Sequence, residues 1–448
     1  MENKLGRIAL LRYMGIRIHN KVIKNASWII VGRIAQSIVG MLIAMITARF
    51  LGPSNYGLIN YASSIVAFAV PIMQLGLSNI LVQELVNNKE KEGEIIGTAI
   101  GMSIISGILS ILGILAFVAI ANKGEAETFI VCALSSIVMV FYSLEMIIYW
   151  YQAKLLSKYT SIVSLIAYFI VALYRLFLLI TQKSIYWFAL SMTFDYAIIT
   201  ITLIVLYKKL GGQIFSFSMS TARRMFHKSK HYILSSMMVT IFAQTDRIMI
   251  KLMLGDADTG FYSVAVTCAG MTSFIFGAII DSARPSIFES KKSGNGPFAR
   301  NITRLYNIII YFALIQSIVI AAFSKIIIGI LYGAQFYPAV GALRIVVWYT
   351  TFSYIGSVRN IWILAENKQK YLWIINLCGA AANVVMNAMM IPLLGINGAA
   401  IASLVTQFFT NVITGYIFSP IRENNRLMVH GLNPNNLKEI FKLMRGGL

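Results

Sequence analysis

The sequence predicts an all-α integral membrane protein with about twelve transmembrane helices in two parallel halves of six, and three observations carry that prediction. Hydrophobic residues make up 58% of the 448 residues and charged ones only 12%, against about one-half and about one-quarter in a soluble domain. The apolar residues fall in continuous runs rather than alternating with period two, which excludes a transmembrane barrel. A turn motif that follows the first run also recurs after the seventh.

The first 25 residues carry Lys4, Arg7, Arg12, Arg17, Lys21 and Lys24 and form a basic N-terminus. The run over 26–49 is too long for a signal-peptide core, so it is the first span. A turn at Leu51–Gly57 leads to 58–83, Lys89 and Lys91 precede 95–121, and the short loop Ala121–Glu127 leads to 127–151. Lys154 and Lys158 precede 160–181, and Gln182–Lys183 turns the chain into 184–207, which completes a half over 26–207. The linker 208–230 mixes Ile214, Phe215, Phe217, Met225 and Phe226 with basic residues, and Gly211–Lys230 is predicted to be an in-plane amphipathic helix.

The second half, 231–419, contains runs at 231–254, 258–284, 305–323, 338–363, 370–391 and 395–419. Ile326–Leu331, within 324–333, is too short to cross and is expected to re-enter or lie at the interface. In the tail, 420–448, Leu437, Ile440, Phe441 and Met444 share a helical face opposite Lys438, Lys442 and Arg445, the pattern of a second amphipathic anchor.

Orientation follows from the cations, because cytoplasmic loops retain Lys and Arg. With both termini inside, the cytoplasmic side collects the six N-terminal cations, Lys89, Lys91, Lys154 and Lys158, and the linker's Lys208, Lys209, Arg223, Arg224, Lys228 and Lys230. Lys291, Lys292, Arg300, Arg304, Lys368, Lys370, Arg422, Arg426 and the three tail cations join them, whereas only Arg49, Lys123, Lys183 and Lys325 lie outside. Most of the +21 net charge is therefore topology in an inner membrane, not the solvated basic domain expected of a nucleic-acid partner.

Several chemistries are disfavoured. Cys132, Cys268 and Cys378 sit in apolar runs, so they are packing residues rather than a disulfide framework. There is no phosphate-binding P-loop. The outer loops are too short to carry the positioned carboxylates of a membrane-embedded glycosyltransferase or polymerase, so no catalytic residue and no cofactor is expected. His227 and His231 lack a third ligand, so no metal site is expected. Gly97-x3-Gly101 is read as a helix-packing face.

The repeat reads Leu51-Gly52-Pro53-Ser54-Asn55-Tyr56-Gly57-Leu58-Ile59-Asn60-Tyr61-Ala62 and Leu254-Gly255-Asp256-Ala257-Asp258-Thr259-Gly260-Phe261-Tyr262-Ser263-Val264-Ala265. Both are L-G-x4-G-x4-A at the same place in each half, so the halves face the same way, a transporter architecture. Together with Thr245–Ile250, Leu331-Tyr332-Gly333, Phe336–Ala339 and Pro392–Ala400, these passages resemble bacterial polysaccharide flippases of the Wzx O-antigen type. The resemblance implies the superfamily of multidrug and toxin extruders (MATE) and lipid II flippases, with two six-helix bundles around a central cavity. It further implies an undecaprenyl-diphosphate oligosaccharide as cargo, membrane lipids as surroundings, and a polysaccharide polymerase and chain-length regulator as downstream partners of a monomer.

Ionisable residues inside spans mark sites by default: here Arg33, Glu145, Arg175, Asp195, Asp246, Arg247, Lys251, Asp281, Arg284, Arg344 and Arg359. Lys251, Arg284, Arg344 and Arg359 lie near span ends and are expected to snorkel, and Asp281 with Arg284 forms a structural ion pair. Arg33 and Arg247 lie on corresponding first helices of the two halves. With Arg49 at the periplasmic mouth, they are the candidates to hold a diphosphate through paired N–H donors. The competing reading pairs Arg247 with Asp246 or Asp195 as a bundle lock. Glu145, Asp195 and Asp246 are the candidates for coupling to H+ or Na+, and the membrane potential is a further driving force. A cation-coupled multidrug exporter of the same superfamily is the alternative function. Seven in-span cations against four carboxylates favour an anionic cargo instead.

Overall fold

The structure, a computed structural model, describes residues 2–292 and 294–434, with side chains described from residue 38 onward. The described residues are helical, with no strand. Nine of their helices are long and apolar enough to cross a membrane, or ten when Asp256–Ala269 and Ser273–Lys292, bent by 43° about Gly270–Thr272, are one span. All twelve predicted segments nevertheless fall on helices. The lower figure arises because the first two form one run, Glu2–Met73, broken only at Gly52 (φ 74°, ψ 174°). In addition, Ala339–Ala365 is interrupted by Arg344, Arg359 and several hydroxyl residues.

Lipid is the solvent these helices fit. On Glu92–Ala121 the exposed face carries Ile105, Leu109, Leu112 and Ile120, each 58% or more exposed, while Ser103, Ser106, Gly107 and Ser110 are buried. That is the inverse of a soluble helix. Small residues inside and large apolar ones outside suit helices held by close packing and hydrogen bonds rather than by expelling water.

The chain divides into two compact units, residues 1–43 with 69–234, and residues 44–68 with 235–448. The expected halves, 26–207 and 231–419, differ from this division by the stretch 44–68 and, at the boundary, by 231–234. The repeated turns explain the transfer, because within the second unit they interlock. A Cβ on Gly57 would lie 1.8 Å from the Asp256 carbonyl oxygen, and one on Gly260 would lie 2.1 Å from that of Pro53. Gly52 and Gly255, the first glycines of the two motifs, both take positive φ, 74° and 107°.

In the first unit the helix predicted to reach residue 83 stops at Met73. Leu75 and Gly76 adopt positive φ, and a Cβ on Gly76 would meet the Ser229 carbonyl at 2.4 Å. The core gathers Trp150, Tyr151 and Tyr207, with Glu92 accepting from Trp150 Nε1 at 2.9 Å and from Lys154 at 2.5 Å. The linker corrects the expectation of an in-plane helix: residues 212–218 are non-helical, and Met219 opens a helix running to Met253. The glycine face is packed, but against this extended linker rather than a helix. Cβ atoms at Gly93 and Gly97 would lie 2.3 and 2.5 Å from the carbonyls of Ile214 and Ser216, and Ser216 N–H donates to the Gly93 carbonyl.

Glu84 anchors the start of the long helix. Its carboxylate, 6% exposed, accepts from Lys228 at 2.6 Å and lies 3.6 Å from Arg224. Both cations are about half exposed, so solvent screens the pair and it is worth less than a fully buried one. Glu84→Ala is expected to cost about 1–3 kcal/mol, read as a lowered melting midpoint in detergent. Lys228→Ala, which leaves Arg224 in place, should cost clearly less.

In the second unit, Ile326–Leu331 is not a separate re-entrant segment but completes the helix Asn295–Leu331. The helix Arg422–Gly431 packs on it, with Asn307 Nδ2 donating to the Gly431 carbonyl at 2.7 Å and Tyr306 Oη to Asn424 at 2.9 Å. Leu437, Ile440, Phe441 and Met444 of the predicted tail anchor lie outside the described residues.

Candidate functional site

Asp246 lies on the helix Met219–Met253, seven residues and therefore about 10 Å from its end, and it is 8% exposed. Such a carboxylate needs donors from its neighbours, and three other helices supply them. Lys370–Leu394 contributes Asn383 and Asn387, one turn apart, whose Nδ2 atoms donate to Asp246 Oδ1 at 3.2 and 2.6 Å. Tyr262, on Asp256–Ala269, and Ser403, on Ile396–Phe408, donate their hydroxyls to Oδ2. All four donors are nearly or fully buried.

Every partner in this nest also carries an oxygen acceptor. Asn387 Oδ1 is buried without a hydrogen-bond partner, and Asn383 Oδ1 accepts only a 3.1 Å contact from Asn387. Rotation of the two hydroxyls and two amides could set four neutral oxygens beside the carboxylate. Hard oxygens with a single negative charge suit a monovalent cation, because a divalent ion usually takes more carboxylates. Among the described residues no group of three or more His, Cys, Asp or Glu side chains is arranged to hold a metal, and His227 and His231 are exposed.

Arg247, the next residue, points elsewhere, as adjacent helical positions are about 100° apart. Its Nε donates to Ser263 Oγ and its Nη1 to Gln244 Oε1, both at 3.2 Å. Both acceptors are neutral, and no ion pair to Arg247 is found among the described residues. The bundle lock with Asp246 is therefore absent, since that carboxylate is turned to Tyr262, Asn383, Asn387 and Ser403.

Arg49 has backbone partners in this structure. Its guanidinium caps the helix Asn295–Leu331 by donating to the carbonyls of Gly329, at 3.4 Å, and Ile330, a favourable place for a cation. Gln335 Nε2 donates back to the Arg49 carbonyl at 2.8 Å. The side chain of Arg33 lies outside the described residues.

In the first unit, Glu145 sits at a short 3-10 turn inside the helical stretch Ala126–Ala153, within electrostatic reach of Asp195. Tyr142 and Tyr196 pack edge to face beside them, 4.2 Å apart. Arg175 lies within electrostatic reach of Asp195 and donates to Ser191 Oγ at 3.1 Å. Two of the three proposed coupling carboxylates thus share one polar cluster, and the third has its own.

The remaining in-span charges divide. Asp281 and Arg284 pair at 3.0 Å, both 48% exposed. Lys251 and Arg359 do not snorkel, being 5% and 4% exposed; Lys251 pairs with Asp256 at 2.9 Å. Arg344 donates to Ser324 Oγ at 3.0 Å.

Comparison with known proteins places the fold. The chain is similar to the lipid II flippase MurJ in an inward closed conformation, with a TM-score of 0.73, 13% identity, and coverage of 93% of this chain and 92% of that one. It is also similar to a multidrug-resistance MATE family transporter of the MOP superfamily in an inward-facing conformation, with a TM-score of 0.62, 11% identity, and coverage of 87% and 96%. A membrane protein of Methanocaldococcus jannaschii is 22% identical over 445 residues, 91% of this chain and 86% of the relative. Residues 22–291, more than half of the sequence, match the family described as polysaccharide biosynthesis protein, and the chain belongs to that family.

Proposed function

We propose that the chain is a flippase that moves undecaprenyl-diphosphate-linked oligosaccharide repeat units, of O-antigen or a related surface polysaccharide, from the cytoplasmic to the periplasmic leaflet of the inner membrane by alternating access. The observation that carries this reading is a pair of adjacent side chains on one membrane-embedded helix: a carboxylate among neutral oxygens, Asp246, and a guanidinium held by neutral acceptors, Arg247. Membership of the polysaccharide biosynthesis family and the fold shared with MurJ support it.

A diphosphate drawn through hydrocarbon meets a prohibitive desolvation cost, and a cationic, hydrated path removes most of it. Arg247 is available for this because its present acceptors, a hydroxyl and an amide, are weaker than a phosphate oxygen. Arg33 is its counterpart on the first helix, while Arg49 is engaged as a helix cap. The lipid tail stays in the bilayer.

Coupling falls to the Asp246 nest, where Asp246, Asn383, Asn387 and Ser403 would hold Na+, or the carboxylate would take H+. Glu145 and Asp195 form the second candidate. An inside-negative potential adds about 2.3 kcal/mol per charge per 100 mV to outward movement of an anion. Polymerase and chain-length regulator act on the delivered unit.

Arg247→Ala is expected to reduce surface polysaccharide at least tenfold in a strain whose own flippase is deleted, with protein level in the membrane unchanged; undiminished glycan would remove Arg247 from the pathway. The same deletion strain separates the drug-exporter reading, which predicts sensitisation to cationic drugs with intact surface glycan.

A further inference from the structure

The second unit contains a cavity of about 150 Å³ whose lining includes Arg359, Asn360, Asn376, Gln407, Thr410 and Asn411, with no acidic side chain on its wall. It is separate from the Asp246 nest in its lining, and neither the transport reading nor any resemblance uses it. Arg359 is 4% exposed. Its Nη1 donates to the Thr410 carbonyl at 2.5 Å and its Nη2 to Asn360 Oδ1 at 3.1 Å. Both acceptors are neutral, its Nε is buried without a partner, and no carboxylate pairs with it among the described residues.

The backbone around this side chain is unusual. Residues Phe409–Ile413 form a π-helical turn, a feature that interrupts the i→i−4 ladder and often accompanies functional sites. It is the carbonyl of Thr410, within that turn, that accepts from Arg359. The turn is pressed into place by two glycines. A Cβ on Gly356 would lie 2.2 Å from Asn411 Oδ1, and one on Gly379 would lie 2.5 Å from Thr410 Cγ2.

A buried guanidinium without a counter-charge is costly, and the remedy available here is an anion. The amides of Asn360 and Asn376 add N–H donors, whereas Asn411 Nδ2 donates to Gln407 Oε1, and the planar guanidinium fork suits the O–P–O edge of an oxyanion. The volume sets what fits inside the cavity, about 150 Å³: roughly 10–15 Å³ of such space admits one water, so there is room for a phosphate group with accompanying water.

We propose that the Arg359 cavity is a phosphate-class oxyanion subsite within the second unit, filled by inorganic phosphate or by the diphosphate head group of a prenyl lipid. The guest accepts from Arg359 Nε and from the amide of Asn376, which donates to no acceptor found among the described residues.

The test uses the full-length protein, purified in detergent, and titrates sodium phosphate against sodium chloride at constant ionic strength and pH, reading the melting midpoint. The expected result is a saturable rise with phosphate that chloride does not reproduce. Arg359→Gln should weaken the apparent affinity at least tenfold. Asn376→Leu leaves the two Arg359 hydrogen bonds in place, fills the cavity with an apolar side chain and should weaken it by a similar factor, so a folding defect in the first variant does not leave the question open. A wild-type protein with no phosphate-specific rise, or an Asn376→Leu variant that binds as well as wild type, overturns the proposal. With phosphate binding present, competition by a short-chain prenyl diphosphate assigns the subsite to the lipid head group, and lack of competition assigns it to the free anion. No arm requires flipping, so the proposal and the transport reading fail independently.

Discussion

Asp246→Asn is expected to abolish transport, lowering delivered glycan by a factor of about 100 or more, because this near-isosteric change removes the one negative charge of the nest. The carboxylate accepts from Tyr262, Ser403, Asn383 and Asn387. An amide can accept through one oxygen only, so its NH2 would face donors that now serve Oδ1 or Oδ2. Each lost charge-assisted bond is worth about 1.5–3 kcal/mol, and partial rotation of the neighbours recovers part of that. The charge itself is not recoverable, and with it goes affinity for a cation. If Na+ is the coupling ion, NaCl should raise the wild-type melting midpoint above that in choline chloride, and the variant should show no such difference. Asn387→Leu, which removes one neutral oxygen ligand, should raise the Na+ concentration needed for the same shift by about tenfold. If the wild-type protein is indifferent to Na+ while glycan delivery follows the pH gradient, the nest carries a proton. Transport by Asp246→Asn at the wild-type rate would exclude Asp246 from coupling altogether.

The nest also shows what could be read from the amino acids and what could not. Asp246 and Arg247 stand out because ionisable groups in an apolar run are rare. Asn383 and Asn387 carry no charge, and a search restricted to charges passes over them, although their i, i+4 spacing puts them on one helical face. Ser403 has no distinguishing signal, since hydroxyls are ordinary in spans, and Tyr262 stands out only as a member of the repeated turn. The helices themselves were legible, because twenty apolar residues leave the backbone little choice in lipid. Their ends were less so. The break at Leu75–Gly76 depends on Ser229, about 150 residues away, and the path of residues 212–218 depends on the groove left by Gly93 and Gly97. The roles of Arg49 and Arg359 likewise depend on tertiary contacts: proximity to a span end suggests snorkelling, and only the packed neighbours show whether water or a backbone carbonyl receives the guanidinium.

Gly57→Ala and Gly260→Ala should each be among the most destabilising single substitutions in the chain, although the sequence change is one methyl group. The Cβ of residue 57 would stand 1.8 Å from the Asp256 oxygen and 2.7 Å from the Gly260 nitrogen; that of residue 260 would stand 2.1 Å from the Pro53 oxygen. These are backbone atoms, so no rotamer change relieves the overlap, and the two turns must separate by more than 1 Å. Overpacking in a rigid interior costs about 1–3 kcal/mol and more when the backbone must move. The expected outcome is loss of most folded protein from the membrane, or a melting midpoint lowered by about 2–10 °C at the roughly 2–4 °C per kcal/mol of a unit of about 150–250 residues. Gly113→Ala provides the control, because a Cβ there meets nothing within 4 Å and the helix gains about 0.5–1 kcal/mol from replacing glycine. The double variant tests the interlock itself. If both glycines serve one reciprocal contact, separation forced by the first methyl makes room for the second, and the combined cost falls well short of the sum. Additive losses would show instead that the two repeated turns are held independently, and the equivalence of the motifs would then lack the packing consequence drawn from it.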